Sequence, residues 1–346
     1  MAKAKEAKDK AIDTSDIVSN LIKELEKEYG TNVIKSAQNI LETKRIILKV
    51  SPNLDIPLGG GIPSGSTVII SGPEKIGKTT LVLAICAEAQ KQGMMVFYHD
   101  VERRIKEMNL CGVEGLSLEP EKFMVISSEQ GHILTGEQHL SMAEKELKSI
   151  PNCLVILDSS SALCAESEMI ADVTGQGRNM GPKLFANFCR RVGNVIPVNN
   201  CIFIVIQHLI NDTSGMGRGK MEDGGVKLQY QQDIKIRGLY KENWKVGSGE
   251  NEKIVGQLVH WKVITAALPG NTPNTEVDTY LRYGIGIDKK KEYLQLATDL
   301  GIILKGGAWY TYGDIKVQGE EKLYQLLVED PTLYEKMLND IKAIVG

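Results

Sequence analysis

Residues 72–79 read Gly-Pro-Glu-Lys-Ile-Gly-Lys-Thr. This G-x-x-x-x-G-K-[ST] spacing constrains the fold more than any other stretch of the chain. It follows an apolar run at residues 67–71 and precedes a helical pattern at 80–90 that Gly93 ends. A strand, a tight glycine turn and a helix in that order aim backbone N–H groups at one spot, reinforced by the positive end of the helix. Each fixed position is about a one-in-ten draw from this composition, so only ~0.03 chance matches are expected in the chain. The chemistry expected is phosphate binding by Gly72, Pro73, Glu74, Lys75, Ile76, Gly77, Lys78, Thr79 and Thr80. Lys78 is placed to bridge β- and γ-phosphates, and Thr79 to offer a hydroxyl to Mg²⁺. A glycine-rich turn without a ligand is the plain alternative.

Such a loop needs a carboxylate on a neighbouring strand to hold the metal's water shell. Residues 154–158 read Leu-Val-Ile-Leu-Asp, four apolar residues and then Asp158. Ser159 follows, where many ATPases carry the glutamate that activates water, so that base must come from elsewhere. Glu102, in Asp100-Val101-Glu102 after the apolar run 94–98, is the best candidate. It would polarise the attacking water without binding the metal directly; a surface carboxylate at a strand end is the bland reading. Gln207 closes the run 201–206 where a polar loop begins. A neutral amide there can touch a γ-phosphate and pass its presence into the loop, or it can simply end a strand.

Composition removes several classes. Of 346 residues, 42% are apolar and 25% charged, enough apolar side chain to order a globular chain. The densest apolar stretches fall far short of the ~20 residues that a membrane span demands. The first 16 residues alternate Lys, Ala and acids with no apolar segment, so no secretory leader is expected. The six cysteines form no C-x-x-C pair and read as reduced thiols of a cytoplasmic protein. Net charge is −3, yet residues 175–245 hold eleven Lys and Arg against five acids. A basic stretch on an acidic chain is compatible with a confined polyanion site, and equally with a solvated face.

The order of elements predicts an α/β fold, a mostly parallel sheet flanked by helices. Strands are expected at 67–71, 94–98, 123–127, 153–157 and 201–206, separated by helix-length segments, then at 233–237 and 257–264. Residues 169–182 and 208–225, rich in Gly, Asp, Asn and Thr, read as long loops. Near the start, Ser15 can cap a helix with Ile17, Leu21, Leu25 and Tyr29 on one stripe, ended by Gly30. From about Asp288 the pattern is that of a small α+β domain: a helix at 290–300, a hairpin at 308–317 around Gly313-Asp314, and two helices divided at Asp330-Pro331. Three parts are expected: 1–45 as a helix and linker, 46–287 as the nucleotide-binding core, and 288–346 as the small terminal domain.

Taken together, these residues resemble the RecA family of ATP-dependent homologous-recombination proteins over nearly the whole chain. The resemblance is carried by residues 54–65 leading into the phosphate loop, by 72–81, by Asp100 and Glu102, by 154–159, and by Gln207. Gly224-Gly225 and the segment Gly307-Ala308-Trp309-Tyr310-Thr311-Tyr312 with Gln318-Gly319 complete it. It implies a RecA-type core, ATP and Mg²⁺ as cofactors, and Glu102, Lys78 and Gln207 as the catalytic set. It also implies that loops 169–182 and 208–223 line a filament axis and hold single-stranded DNA. Arg178, Arg218 and Lys220 can meet phosphates, Met180 and Met216 can wedge between bases, and Gly224 and Gly225 close the second loop.

The chain also departs from the pattern. Met216 stands where bacterial members have an aromatic residue. Thr265 and Ala267 stand where two lysines would reach the γ-phosphate across a protomer interface, and only Lys262 is basic nearby. The acidic tail of bacterial members is missing, which suggests a phage-encoded or otherwise distant member. The resemblance implies a homo-oligomeric filament on single-stranded DNA that pairs homologous duplex and exchanges strands, in the cytoplasm of a bacterium or phage-infected host. Accessory single-strand-binding and loader proteins are implied as partners, with no membrane. The initial helix would pack on an adjacent protomer, and Lys289, Lys290, Lys291 and Lys305 could gather duplex. Two other readings stand beside it: a ring-shaped RecA-fold helicase or motor, and an ATP-switched single-strand-binding scaffold with little hydrolysis.

Overall fold

The computed structural model describes residues 14–31, 33–42, 44–171, 180–211, 220–222, 232–247 and 249–345. The chain divides into two compact units, Met1–Lys44 and Arg45–Gly346. The first contains α1 (Thr14–Tyr29) and α2 (Ala37–Glu42). Gly30, at φ +109°, ends α1 by donating its N–H to the Glu26 carbonyl at 3.0 Å. The stretch after it, expected as plain linker, thus carries one further short helix.

The second unit opens with β1 (Ile47–Leu48), α3 (Pro52–Leu58) and β2 (Ile62–Pro63), with β1 and β2 paired antiparallel. Ser51 caps α3 by accepting the Leu54 N–H, and Pro52 occupies the first turn, where its missing N–H costs nothing. Then follow β3 (Thr67–Gly72), α4 (Lys78–Lys91), β4 (Val96–Asp100), α5 (Glu107–Leu110), β5 (Phe123–Ile126), α6 (Gly136–Ser149) and β6 (Leu154–Asp158). Next come α7 (Glu166–Ile170), α8 (Gly181–Val192), α9 (Val195–Val198), β7 (Ile202–Asn211), β8 (Lys220–Glu222), β9 (Ile234–Val246), β10 (Lys253–Thr265), β11 (Thr275–Arg282) and β12 (Gly286–Ile287).

Nine strands form one sheet in the order β12-β11-β10-β9-β3-β7-β6-β4-β5, with β8 added on β7. From β9 to β5 all neighbours are parallel; from β9 to β12 they are antiparallel. Side chains of one strand alternate between the faces, and β7 shows the consequence. Ile202, Ile204 and Ile206 join the core packed on α4, while Phe203 and Val205 join the core packed on α6 and α8. Helices therefore cover both faces, and the run reads as continuously apolar because neither face meets water. The α/β fold expected from the order of elements, a mostly parallel sheet flanked by helices, is the fold observed.

The terminal module adds α10 (Lys289–Asp299), β13 (Leu304–Gly306), β14 (Trp309–Tyr312), β15 (Ile315–Gln318), α11 (Glu320–Glu329) and α12 (Pro331–Val345). It has its own core around Leu294, Ile303, Leu323, Leu327 and Met337. The hairpin expected at 308–317 is β14 and β15, and β13 makes it a three-stranded sheet.

Several expectations need correction. The strand at 201–206 continues to Asn211, so Gln207 lies inside it, paired with Ser71, and does not close it. Residues 208–225 are not a loop throughout: Leu209, Ile210 and Asn211 pair antiparallel with Glu222, Met221 and Lys220. The ladder persists because backbone groups find partners on β8 whatever the side chains are. The ends of 169–182 lie in α7 and α8. Strands expected at 233–237 and 257–264 each span 13 residues. Their extension escapes an apolar-run reading because Tyr240, Lys241, Glu242 and Asn243 are exposed.

Candidate functional site

The phosphate loop joins β3, at the centre of the sheet, to α4. Lys75 and Gly77 adopt positive φ, +57° and +113°. The φ of Gly77 favours glycine there, and a Cβ would also lie 2.5 Å from Leu281 Cδ1, so that leucine's methyl would have to move. Lys78 starts α4 and folds back over the turn, donating to the carbonyls of Gly72 and Pro73, both at 2.8 Å. Burial lowers its ammonium pKa, opposed by the charges of Asp158, Glu102 and Glu74. The turn faces a cleft of about 710 Å³ lined by Lys78, Thr79, Glu102, Asp158, His208 and Lys241 among others.

Thr79 Oγ1 stands 3.4 Å from Asp158 Oδ2, and the Tyr98 hydroxyl donates to the same oxygen at 2.5 Å. Asp158 ends β6, next to β7 on one side and β4 on the other, where burial raises its carboxyl pKa. These residues fit a triphosphate with a divalent cation. A lysine poised in the crook of the turn suits the anion, and a hydroxyl beside a half-buried carboxylate suits a hard cation that keeps several waters. Among the described residues no group of three or more His, Cys, Asp or Glu forms a separate metal cluster.

Asp100 and Glu102, adjacent in the sequence argument, have different work. Asp100 is buried and accepts the backbone N–H groups of Arg104 and Ile105, both at 2.9 Å, which shapes the turn after β4. Glu102 points into the cleft. Its Oε1 meets His208 Nε2 at 2.8 Å and the Ser159 hydroxyl at 2.5 Å, and its Oε2 meets Arg104 Nε at 2.9 Å. The His208 hydrogen bond, followed by that of Ser159, holds the Glu102 carboxyl down to about 2 despite partial burial.

Glu74, Lys75, Gly77, Lys78, Thr79, Thr80, Glu102 and Asp158 all line the one cleft. Gln207 lies on the opposite face of β7, buried, its amide 3.5 Å from Ser160 Oγ. Met180 caps α8, its N–H donating to Glu168 Oε1 at 2.6 Å. Lys220 opens β8. Arg178, Met216, Arg218, Gly224 and Gly225 lie outside the described residues. Thr265 ends β10, Ala267 lies two residues beyond it, and Lys262 lies 3.6 Å from Glu276.

Among the cleft residues that sequence reasoning missed are His208, Lys241 and Arg282. His208 was hidden behind Gln207, although a period of two from Ile206 puts residue 208 on the cleft face. Lys241 Nζ donates to the Lys75 carbonyl at 2.6 Å, a contact across 166 positions that no local pattern reveals. Arg282 lines the cleft and pairs with Asp288 at 3.2 Å, its guanidinium lying over the rings of Trp244 and Tyr324.

A sequence model described as RecA N-terminal domain matches residues 16–288, and one described as RecA C-terminal domain matches residues 291–346. Protein RecA of Acholeplasma laidlawii is 29% identical over 326 residues, 93% of this chain and 94% of the relative. Protein RecA of Clostridium botulinum (strain Eklund 17B / Type B) is 30% identical over 329 residues, 94% of this chain and 88% of the relative. Protein RecA of Staphylococcus carnosus (strain TM300) is 30% identical over 341 residues, 97% and 90% of the two chains. Among the described residues no helix is long and apolar enough to cross a membrane.

Proposed function

This chain belongs to the RecA family, a recombination and repair family of DNA-dependent ATPases, and on that premise we propose that it is an ATP- and Mg²⁺-dependent recombinase. It assembles as a helical filament on single-stranded DNA, pairs that strand with homologous duplex and exchanges strands, in the cytoplasm of a bacterium or phage-infected host. The three parts at 1–45, 46–287 and 288–346 serve protomer packing, nucleotide and single-strand binding, and duplex capture.

The observation that carries the reading is the convergence of Lys78, the Thr79–Asp158 pair and Glu102 on one cleft. Lys78 and the amides of the glycine turn would hold the phosphates, and Thr79 and Asp158 would hold the cation. Bound Mg²⁺–ATP supplies the scissile phosphoanhydride and the positive charge that offsets its oxygens. Glu102 orients and polarises the attacking water by accepting its hydrogen bond. With its carboxyl held at about 2 it stays anionic at any working pH, so its strength lies in position more than in proton affinity. Gln207 passes nucleotide state toward the second loop along β7. Arg178, Met180, Met216, Arg218, Lys220, Gly224 and Gly225 form the single-strand site.

A second reading has one specific observation in its favour: Thr265 and Ala267 stand where lysines would complete the site across the protomer interface. An ATP-switched scaffold with little hydrolysis would need none. Steady-state ATPase with and without single-stranded DNA, combined with electron microscopy on a slowly hydrolysed ATP analogue, decides. Extended filaments and strand-stimulated turnover support the recombinase. Closed rings favour a motor, and turnover that ignores both DNA and Glu102→Gln favours the scaffold.

A further inference from the structure

His208 occupies a junction that the proposed reaction has not yet used. On β7 it pairs in register with Gly72, the first residue of the phosphate loop, while the next residue, Leu209, already pairs with Glu222 of β8. Strand β7 therefore changes partner at His208, from the nucleotide-binding strand on one side to the base of the second polar segment on the other. Its backbone N–H is fixed as well, donating to Ser161 Oγ at 3.3 Å.

Among the described residues the imidazole makes one polar contact, and it is to Glu102. Nε2 lies 2.8 Å from Oε1, whereas Nδ1 is buried with no hydrogen-bond partner among the described residues. The proton belongs on Nε2, because a proton on Nδ1 would be buried without an acceptor. Of the other groups on Glu102, Arg104 is 68% exposed and holds its carboxylate weakly, and Ser159 shares Oε1 with the histidine. Glu102 sits on the turn after β4, outside the sheet's ladder, so its side chain is aimed by what it touches.

We propose that His208 is a positioning residue for hydrolysis: it fixes the Glu102 carboxylate in the cleft and ties it to the root of the second segment, so that stimulation of turnover by single-stranded DNA runs through this imidazole. The inference rests on the reading of Glu102 as the group that orients water. A histidine at this junction senses both neighbours of β7, because a shift of β8 against β7 moves the residue whose ring holds the carboxylate.

The full-length protein tests it with three variants, His208→Leu, His208→Gln and Glu102→Gln, in ATPase assays with and without single-stranded DNA and in binding of a slowly hydrolysed ATP analogue. His208→Leu keeps the bulk and removes the donor. Its strand-stimulated kcat should fall ~10-fold or more, with KM for ATP and analogue affinity within about twofold of wild type. His208→Gln, which keeps an N–H donor at similar reach, should recover part of that loss and of the ratio of stimulated to basal turnover. If Glu102→Gln abolishes turnover while His208→Leu matches wild type, the inference is overturned and the role of Glu102 stands. An equal loss of kcat and analogue binding in both histidine variants also overturns it, because that marks a structural role alone. If Glu102→Gln turns over normally, the reading of Glu102 itself fails. If the His208→Leu protein does not fold, His208→Met, which also lacks the donor, takes its place: a fall in strand-stimulated kcat at unchanged KM supports the inference, and no change overturns it.

Discussion

Gly77 holds a backbone conformation that side chains strain. Its φ of +113° and the 2.5 Å approach of Leu281 Cδ1 mean that Gly77→Ala should cost about 1–3 kcal/mol of stability and spoil the loop. Chemical denaturation and nucleotide titration check both. Lys78→Ala should leave the fold in place, because the carbonyls it releases can be hydrated, but lower nucleotide affinity or turnover by ~10²–10³-fold and abolish filament activation. Glu102 makes a statement about pH. Its folded carboxyl is held at about 2, below the ordinary value of 4.5, so its contribution to stability is complete above that value and is lost only as pH falls toward 2. Turnover measured from pH 8 down to 5 should therefore show no acid limb from this group. The loop, Asp158 and Glu102 were legible in the sequence because fixed spacing and strand-end position mark them. His208 and Lys241 were not, because their partners are 106 and 166 positions away and no local rule reaches that far.

Among the elements, β10 holds the largest fully buried side chain of the described residues. Trp261 is fully buried between α4's core and the sheet, with Nε1 donating to Thr279 Oγ1 at 2.8 Å. Trp261→Ala should cost ~3–5 kcal/mol, read as a fall in the denaturation midpoint, from the lost transfer energy and the cavity left behind. A second element-level effect joins α3, β11 and α10. Glu292, at the start of α10, is fully buried, accepts the Asn53 and Tyr280 N–H groups, and is pushed up to about 8 by that burial. The folded form keeps its proton where the unfolded chain has lost it, so stability falls as pH rises from about 4.5 to 8. Glu292→Gln should flatten that slope in melts taken across the range. Elements whose two faces are both buried, such as β3, β6 and the first part of β7, were readable as apolar runs. The outer halves of β9 and β10 were not, since a strand exposed on its far half carries the composition of a loop.

For the molecule as a whole, charge segregation is the property that the proposed function exploits. The basic span 175–245 on an acidic chain predicts single-strand binding that weakens linearly in log–log salt titration. Lys220→Ala should shallow the slope by about 0.7 if it meets one phosphate. Architecture at this scale was largely legible, because a phosphate loop followed by alternating apolar runs admits few topologies and the small terminal module announces itself by its change of pattern. What the sequence concealed is how parts communicate, and Arg282 is the clearest instance. Its guanidinium lies between Trp244 of β9 and Tyr324 of α11 while pairing with Asp288, and the same residue borders the nucleotide cleft. A swing of the final 55-odd residues large enough to part Tyr324 from that cation would break a two-sided stack and loosen a wall of the cleft. The terminal module thereby shares a keystone with the chamber beside it, one cation buttressed by a ring from each.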